Sequence, residues 1–429
     1  MYWCIYSLFS EKRGKSMTNR KNIFCTIFLI GMFAIMLCLG GCLEDASKKI
    51  AQNQDSHNYE QTVNAWIWVY QSDNKALNVY NAADGSLGAS FTADVHPMMH
   101  IMQAGPASEP TLWMADGYTA CSFTSGFHPH GDHAHMENPE PYQTIVVGSK
   151  PTHMGMSPDE KLVAFANDGG GNISVIAVET GAVTTVSHGS PHSAALLTDN
   201  YLITTHMDEH WLKIVSISDD KEIKKIEIGA NAHGDAYYHP TDTAFIATDA
   251  GIEVIDINNM SHKKTIPYTE PGRTNFLYCN ENHRIAIGLH KTSTNETNKI
   301  LVLDMVDESL SYVEIDNASL NWNIQTGQFA LSANGKKAVI SDMTSSKVYV
   351  IDVDNQSIAF KKVQTIPVLS SGVAVGIDVT GDHVWIMDND YIYPIDVDEG
   401  LLKTDSRFKV NGGDWIHVTS FDGEVINET

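Results

Sequence analysis

The sequence predicts an all-β fold, a propeller of eight four-stranded blades, with seven blades as the second choice. Three observations point there. From Ala65 onward, short runs rich in Val, Ile, Tyr, Trp and Phe alternate with Asp, Gly, Asn and Pro turns, the pattern of half-buried strands joined by tight turns. No long stretch keeps a 3.6-residue period. The runs also recur in units of roughly forty residues, the spacing of propeller blades rather than of solenoid coils.

Residues 1–42 stand apart. Met17 is a better start than Met1, because Thr18-Asn19-Arg20-Lys21 sets a basic stretch directly before the apolar run Ile23 to Leu39. The run ends in Leu39-Gly40-Gly41-Cys42, which has the order of a bacterial lipobox: basic, apolar, small residues, then a cysteine to carry the lipid. Cys42 is the expected lipidation site, placing the protein outside the cytoplasm and anchored to the membrane; an uncleaved membrane anchor is the alternative. Residues 43–62 are polar and read as a tether. Residues 63–429 form a single repeating domain. Its units share one phrase: a small-residue strand, a turn, a hydrophobic strand ending at Asp, then a strand ending in Ile-Asp or Val-Asp. Examples are Thr152–Val178, Ala232–Ile257, Gly327–Val353 and Val373–Val397. Ala65–Gly85 lacks an innermost strand before it, and Trp415–Val425 is one with nothing after it. Joining the two closes the ring and completes the eighth blade.

Composition narrows the function. The formal net charge is −24, with 28 Lys+Arg against 52 Asp+Glu. No basic face is available for DNA or RNA, whereas the charge suits a protein that attracts cations. Beyond the leader only Cys121 and Cys279 remain, and a pair between them is left open. There is no zinc knuckle, haem-attachment motif, P-loop or GxSxG elbow.

Histidine is the outlier. Thirteen of nineteen fall between His96 and His239. The densest group is His128-Pro-His130-Gly-Asp132-His133-Ala-His135 followed by Met136-Glu137. Four imidazoles and nearby carboxylates in ten residues suit one borderline metal ion with N/O ligands. Pro129 and Gly131 favour a bent, exposed loop here, inserted at 126–141 between the third and fourth strands of the second blade. Such a loop carries no blade strand, so its removal is expected to leave the propeller folded. The second group depends on the fold: His153, His192 and His233 stand at or before the innermost strands of three consecutive blades and so converge at one end of the channel. Asp168, in a strand-connecting turn on that face, is a candidate fourth ligand, although Asp116, Asp249, Asp342 and Asp388 hold similar turn positions and read as structural. His100 and His417 occupy comparable places in flanking blades, and His206 and His210 lie in a turn on the same face. These four are accessory candidates, and a polar rim is the alternative for His206 and His210.

At these residues the chain resembles the AztD-type zinc metallochaperones, extracytoplasmic β-propellers that serve zinc ABC transporters. The carriers are His130-Gly-Asp-His133-Ala before a Pro-rich stretch, Lys150-Pro-Thr-His153, Phe165-Ala-Asn-Asp168-Gly, Ser190-Pro-His192, and Ala232-His233-Gly-Asp235 before Thr248-Asp-Ala-Gly-Ile-Glu-Val. The resemblance implies a Zn²⁺-binding propeller that delivers metal to the solute-binding protein of an ABC transporter. It implies that His153, His192 and His233 with Asp168 are buried site positions, and that His128–His135 is a mobile capture segment. The chain departs from the pattern at Asn321-Trp322 and Ser193. A lipid anchor would also differ from a freely diffusing carrier. Two other classes stay open: a propeller enzyme using a channel-mouth metal as lyase or hydrolase, and a non-catalytic surface scaffold. The histidine clusters without an obvious general-acid set favour carriage over catalysis.

Overall fold

The computed structural model describes residues 63–92, 102–104, 110–187, 194–279, 284–292, 294, 296–321 and 327–427. The lipobox with Cys42, the tether, His100, His192 and Trp322 lie outside them. The described chain is all-β apart from one 3₁₀ turn, His239–Thr241. None of its helices is long and apolar enough to cross a membrane.

Eight antiparallel sheets follow one another along the chain as the blades of a propeller. Blade 1 is Leu87–Thr92, Ala76–Asn81, Ala65–Gln71 and, innermost, Trp415–Ser420. The first and last parts of the chain therefore share a sheet, with Ala65 opposite Ser420 and Tyr70 opposite Trp415. This is the ring closure expected from the unpaired ends, and it settles the blade number at eight. The innermost strands of blades 2 to 8 begin at Met102, Pro151, Ala194, Asp235, Arg273, Phe329 and Ala374.

Period-2 patterning explains why such sheets stack in a ring. In Ala65–Gln71 every residue is buried, because both faces of an inner strand meet a neighbour. Trp66, Trp68 and Tyr70 pack with Leu112 and Phe123 of blade 2. Ala65, Ile67 and Val69 point the other way, to Trp385 and Ile392 of blade 8. The same division repeats around the molecule. Phe165 packs towards blade 2 and Ala164 towards blade 4; Ile246 packs towards blade 4 and Phe245 towards blade 6. The core is thus a series of apolar seams between successive blades, closed on itself, and burial of these side chains is the main stabilising term. Cys121 and Cys279 lie in different blades, 2 and 6, and are not joined by a disulfide.

The strand directions define two faces. Every innermost strand begins on one face, called here the entry face, and ends on the exit face. Turns between second and third strands lie on the entry face, and connections between third and fourth strands on the exit face. This matters for the histidines.

Candidate functional site

His153 and His233 sit on the entry face and come together as the repeat phase requires. His153 follows a bulge at Pro151/His153 in the innermost strand of blade 3. His233 precedes the innermost strand of blade 5, where its amide donates to Ala247 O (2.9 Å) and Ala247 N donates to Gly234 O (2.9 Å). Both residues are 7% exposed. Their ring centroids are 5.5 Å apart at 82°. Two imidazoles on one tetrahedral zinc, with Zn–N near 2.0–2.1 Å, would have centroids about 5.2 Å apart. The observed separation is close to that.

Phe276 of blade 6 packs against both rings, and nothing in the sequence pattern marks it. Its ring lies 4.4 Å from the His233 ring and 6.3 Å from the His153 ring. Its φ is +61°, a left-handed conformation that is rare for a bulky residue. It occupies a bulge between Asn275 and Tyr278. The Phe276 amide donates to His233 O (3.2 Å). Gly234 makes this approach feasible: a Cβ there would stand 2.5 Å from Phe276 Cα, and its φ is +104°. A strained backbone conformation therefore lies directly beside two buried imidazoles.

Two carboxylates lie near this pair in the chain or on the same face. Asp168 lies in the expected entry-face turn, its amide donating to Lys150 O (3.0 Å) and its carboxylate accepting from Lys150 Nζ (2.7 Å). Entry into a metal shell would require that pair to open, a small cost for an ion pair whose lysine is well exposed. Asp235 heads the innermost strand of blade 5, two residues from His233. Burial pushes its carboxyl up to about 7, although solvent still reaches part of it. In the sequence Asp235 stands out only as part of Ala232-His233-Gly-Asp235, and its burial is visible only in the fold. His417 lies on the innermost strand of blade 1, stacked on Trp415 at 5.7 Å and 3°. Burial pushes its imidazole down to about 4, so the ring is neutral at physiological pH. His206 and His210 flank the expected entry-face turn, where His206 Nδ1 accepts from the Asp208 amide (3.2 Å). Asp342 is structural, accepting from the Thr344 and Ser345 amides (both 2.8 Å) and from Tyr349 Oη (2.9 Å).

The second cluster is organised differently from the bent loop expected. Residues Phe127–His130 and His133–Met136 are two strands of a hairpin, turned by Gly131-Asp132 with Gly131 at φ +72°, as a two-residue turn with Gly first requires. The pairs are Phe127↔Met136, His128↔His135, Pro129↔Ala134 and His130↔His133. Alternation then puts all four imidazoles on one side of the hairpin and Phe127, Ala134 and Met136 on the other. The apolar side is buried against Trp66, Met114 and Phe123. Pro129 is tolerated because its strand is the edge of the small sheet, with no neighbour to receive an amide hydrogen bond. On the polar side the ring centroids of His130, His133 and His135 form a triangle of 5.1, 5.5 and 5.9 Å. His128 Nε2 lies 3.4 Å from Glu137 Oε2, and His133 Nδ1 lies 3.3 Å from Asp132 Oδ1.

Among the described residues no three His, Cys, Asp or Glu side chains have their donor atoms already gathered for a metal ion. In the hairpin the ring centres of His130, His133 and His135 are at the spacing of imidazoles sharing one ion. The two clusters occupy opposite faces, because the hairpin joins the third and fourth strands of blade 2, which meet on the exit face.

No protein-family model and no curated protein sequence matches the chain. Solved structures do. AztD from Citrobacter koseri superposes with a TM-score of 0.68 at 18% identity, covering 84% of this chain and 99% of that one. Its apo form gives 0.68 at 17%, covering 85% and 100%. Dihydro-heme d1 dehydrogenase NirN in complex with DHE gives 0.57 at 13%, covering 83% and 75%. The chain has the AztD-type eight-bladed propeller fold.

Proposed function

We propose that the protein is an extracytoplasmic zinc carrier, held at the membrane through Cys42, that binds Zn²⁺ as cargo and passes it to the solute-binding protein of a zinc ABC transporter without catalysis. The observation that carries this reading is the hairpin that turns four imidazoles to one side and its apolar residues to the core. Zinc suits such N-rich donor sets. His130, His133 and His135 would hold it, with His128 or Asp132 completing the shell. On the entry face His153 and His233 would form a second site, with His192 and Asp168 or Asp235 as further donors. The acidic charge draws cations in. Because imidazole ligates only as the neutral ring, acid releases the cargo. The resemblance of the histidine motifs to those of AztD-type zinc metallochaperones, on the fold shared with AztD, supports the same reading. An Asp235 carboxyl raised by burial two residues from His233 is also what a general acid–base site needs, so a metal-dependent enzyme is the second reading.

The test is a zinc titration of chelator-stripped, leaderless protein against a competing indicator. Two classes of site are expected, and His130→Ala/His133→Ala should remove one. Binding no tighter than tens of micromolar, roughly 6 kcal/mol, would sink the carrier reading. Delivery is read by mixing zinc-loaded protein with the purified solute-binding protein: transfer should outrun free dissociation, and equal rates would reject direct handover.

A further inference from the structure

The hairpin does not stand alone. A third strand, Glu424–Asn427, runs parallel to its second arm, with Glu424 opposite His133, Val425 opposite Ala134, Ile426 opposite His135 and Asn427 opposite Met136. We propose that this C-terminal strand is the positioning element of the hairpin's zinc site, fixing the register that holds His133 and His135 on the outer side of the hairpin with His128 and His130 before metal arrives. The inference rests on the zinc reading of the hairpin.

The physical case has three parts. A hairpin with four-residue arms is marginal in water, and a third strand with an apolar face is the usual remedy. Register decides the site, since a slip of one residue would turn His133 and His135 into the core and Ala134 and Met136 outward. The C-terminal strand sets that register from both sides. Its backbone pairs with the arm, while Val425, together with Phe421, packs against the same Trp66 cluster that receives Phe127, Ala134 and Met136. The link is short and tight. The strand leaves the end of the ring-closing strand at Ser420 after three residues, and a Cβ on Gly423 would lie 2.9 Å from Asp132 O at the hairpin tip. Coupling is reciprocal: if the docked strand raises zinc affinity by some factor, zinc must favour the docked strand by the same factor.

The experiment uses protein carrying His153→Ala and His233→Ala, so that the hairpin alone reports zinc. One variant ends at Gly423, keeping Phe421 and the ring-closing strand; a second carries Val425→Pro, which removes an amide donor; a third carries Val425→Ile. Truncation and the proline should weaken zinc binding tenfold or more, and the isoleucine should keep it. Amides of 127–136 should lose hydrogen-exchange protection in metal-free truncated protein, while the ring keeps its cooperative melt. In the full-length background zinc should slow exchange at 424–427 by the factor that truncation costs in affinity. Unchanged zinc affinity on truncation, or unchanged protection of 127–136, overturns the proposal. Lost protection together with no zinc binding by the full-length background protein overturns it through the zinc reading, showing that the strand seats a hairpin that is not a zinc site.

Discussion

At the scale of single residues, the histidines divide by what surrounds them. His290 is fully buried, with Nδ1 3.1 Å from Thr274 Oγ1, Nε2 3.3 Å from Pro271 O, and its ring against Tyr268 and Tyr312. Burial lowers its pKa, and its role is packing. His262 Nε2 lies 2.8 Å from the buried Glu253. His383 is different again, with Nδ1 2.9 Å from Asp378 Oδ2. That hydrogen bond holds His383 above the usual histidine range. Burial pushes Asp378 up, but its bonds from the His383 side chain and amide and from Thr380 bring it below the usual carboxylate range. The sign of the linkage follows. The raised His383 contributes stability in full below its unfolded pKa of about 6.5, and loses it as pH rises through the higher folded value. The lowered Asp378 contributes above about 4 and loses it as pH falls through the lower folded value. The stability gap between wild type and His383→Gln should therefore be largest between those limits and narrow above neutrality. Thermal melts across pH 4–9 check this, and a gap that stays flat from pH 5 to 9 would mean the pair is not ionised. Phe276 shows what residue-level reading misses: a Phe in a strand-like run gives no sign that its backbone will adopt φ +61°.

At the scale of elements, the hairpin changes an expectation. A bent, exposed loop could be removed freely, but this segment buries Phe127, Ala134 and Met136 at 3%, 0% and 6% exposure. Replacing 127–136 with a flexible linker uncovers the Trp66 seam. Losing a buried Phe alone costs about 3–5 kcal/mol, so the melting temperature should fall by several degrees while the other seams keep the ring intact. An unchanged melt would show that the underside contributes no packing. The strand character was legible, since Phe-His-Pro-His and His-Ala-His-Met alternate with period 2. Pro129 obscured it, because proline argues against a strand only where the amide hydrogen bond is needed.

At the scale of the whole molecule, the ring separates the two histidine clusters. An innermost strand of six residues rises roughly 20 Å from one face to the other, so no single ion joins His153 and His233 to the hairpin. Substituting the entry-face pair should leave hairpin zinc affinity unchanged, and the converse should hold. Within each cluster the first substitution should cost most of the affinity and the second little more. Zinc titrations of the four combinations measure this, and a coupling between faces well above about 0.5 kcal/mol would refute two independent sites. The sequence by itself determined the strands, the blade repeat, the need for the ends to meet and the histidine-rich positions, because period-2 patterning and turn chemistry are local. Tertiary structure alone decided how closely the histidines approach and what holds them. His153 and His233 face each other across a ring that closes only when Ala65–Gln71 pairs with Trp415–Ser420. The hairpin takes its register from residues near the far end of the chain. Such pairings depend on the geometry of the closed ring, which no local pattern encodes.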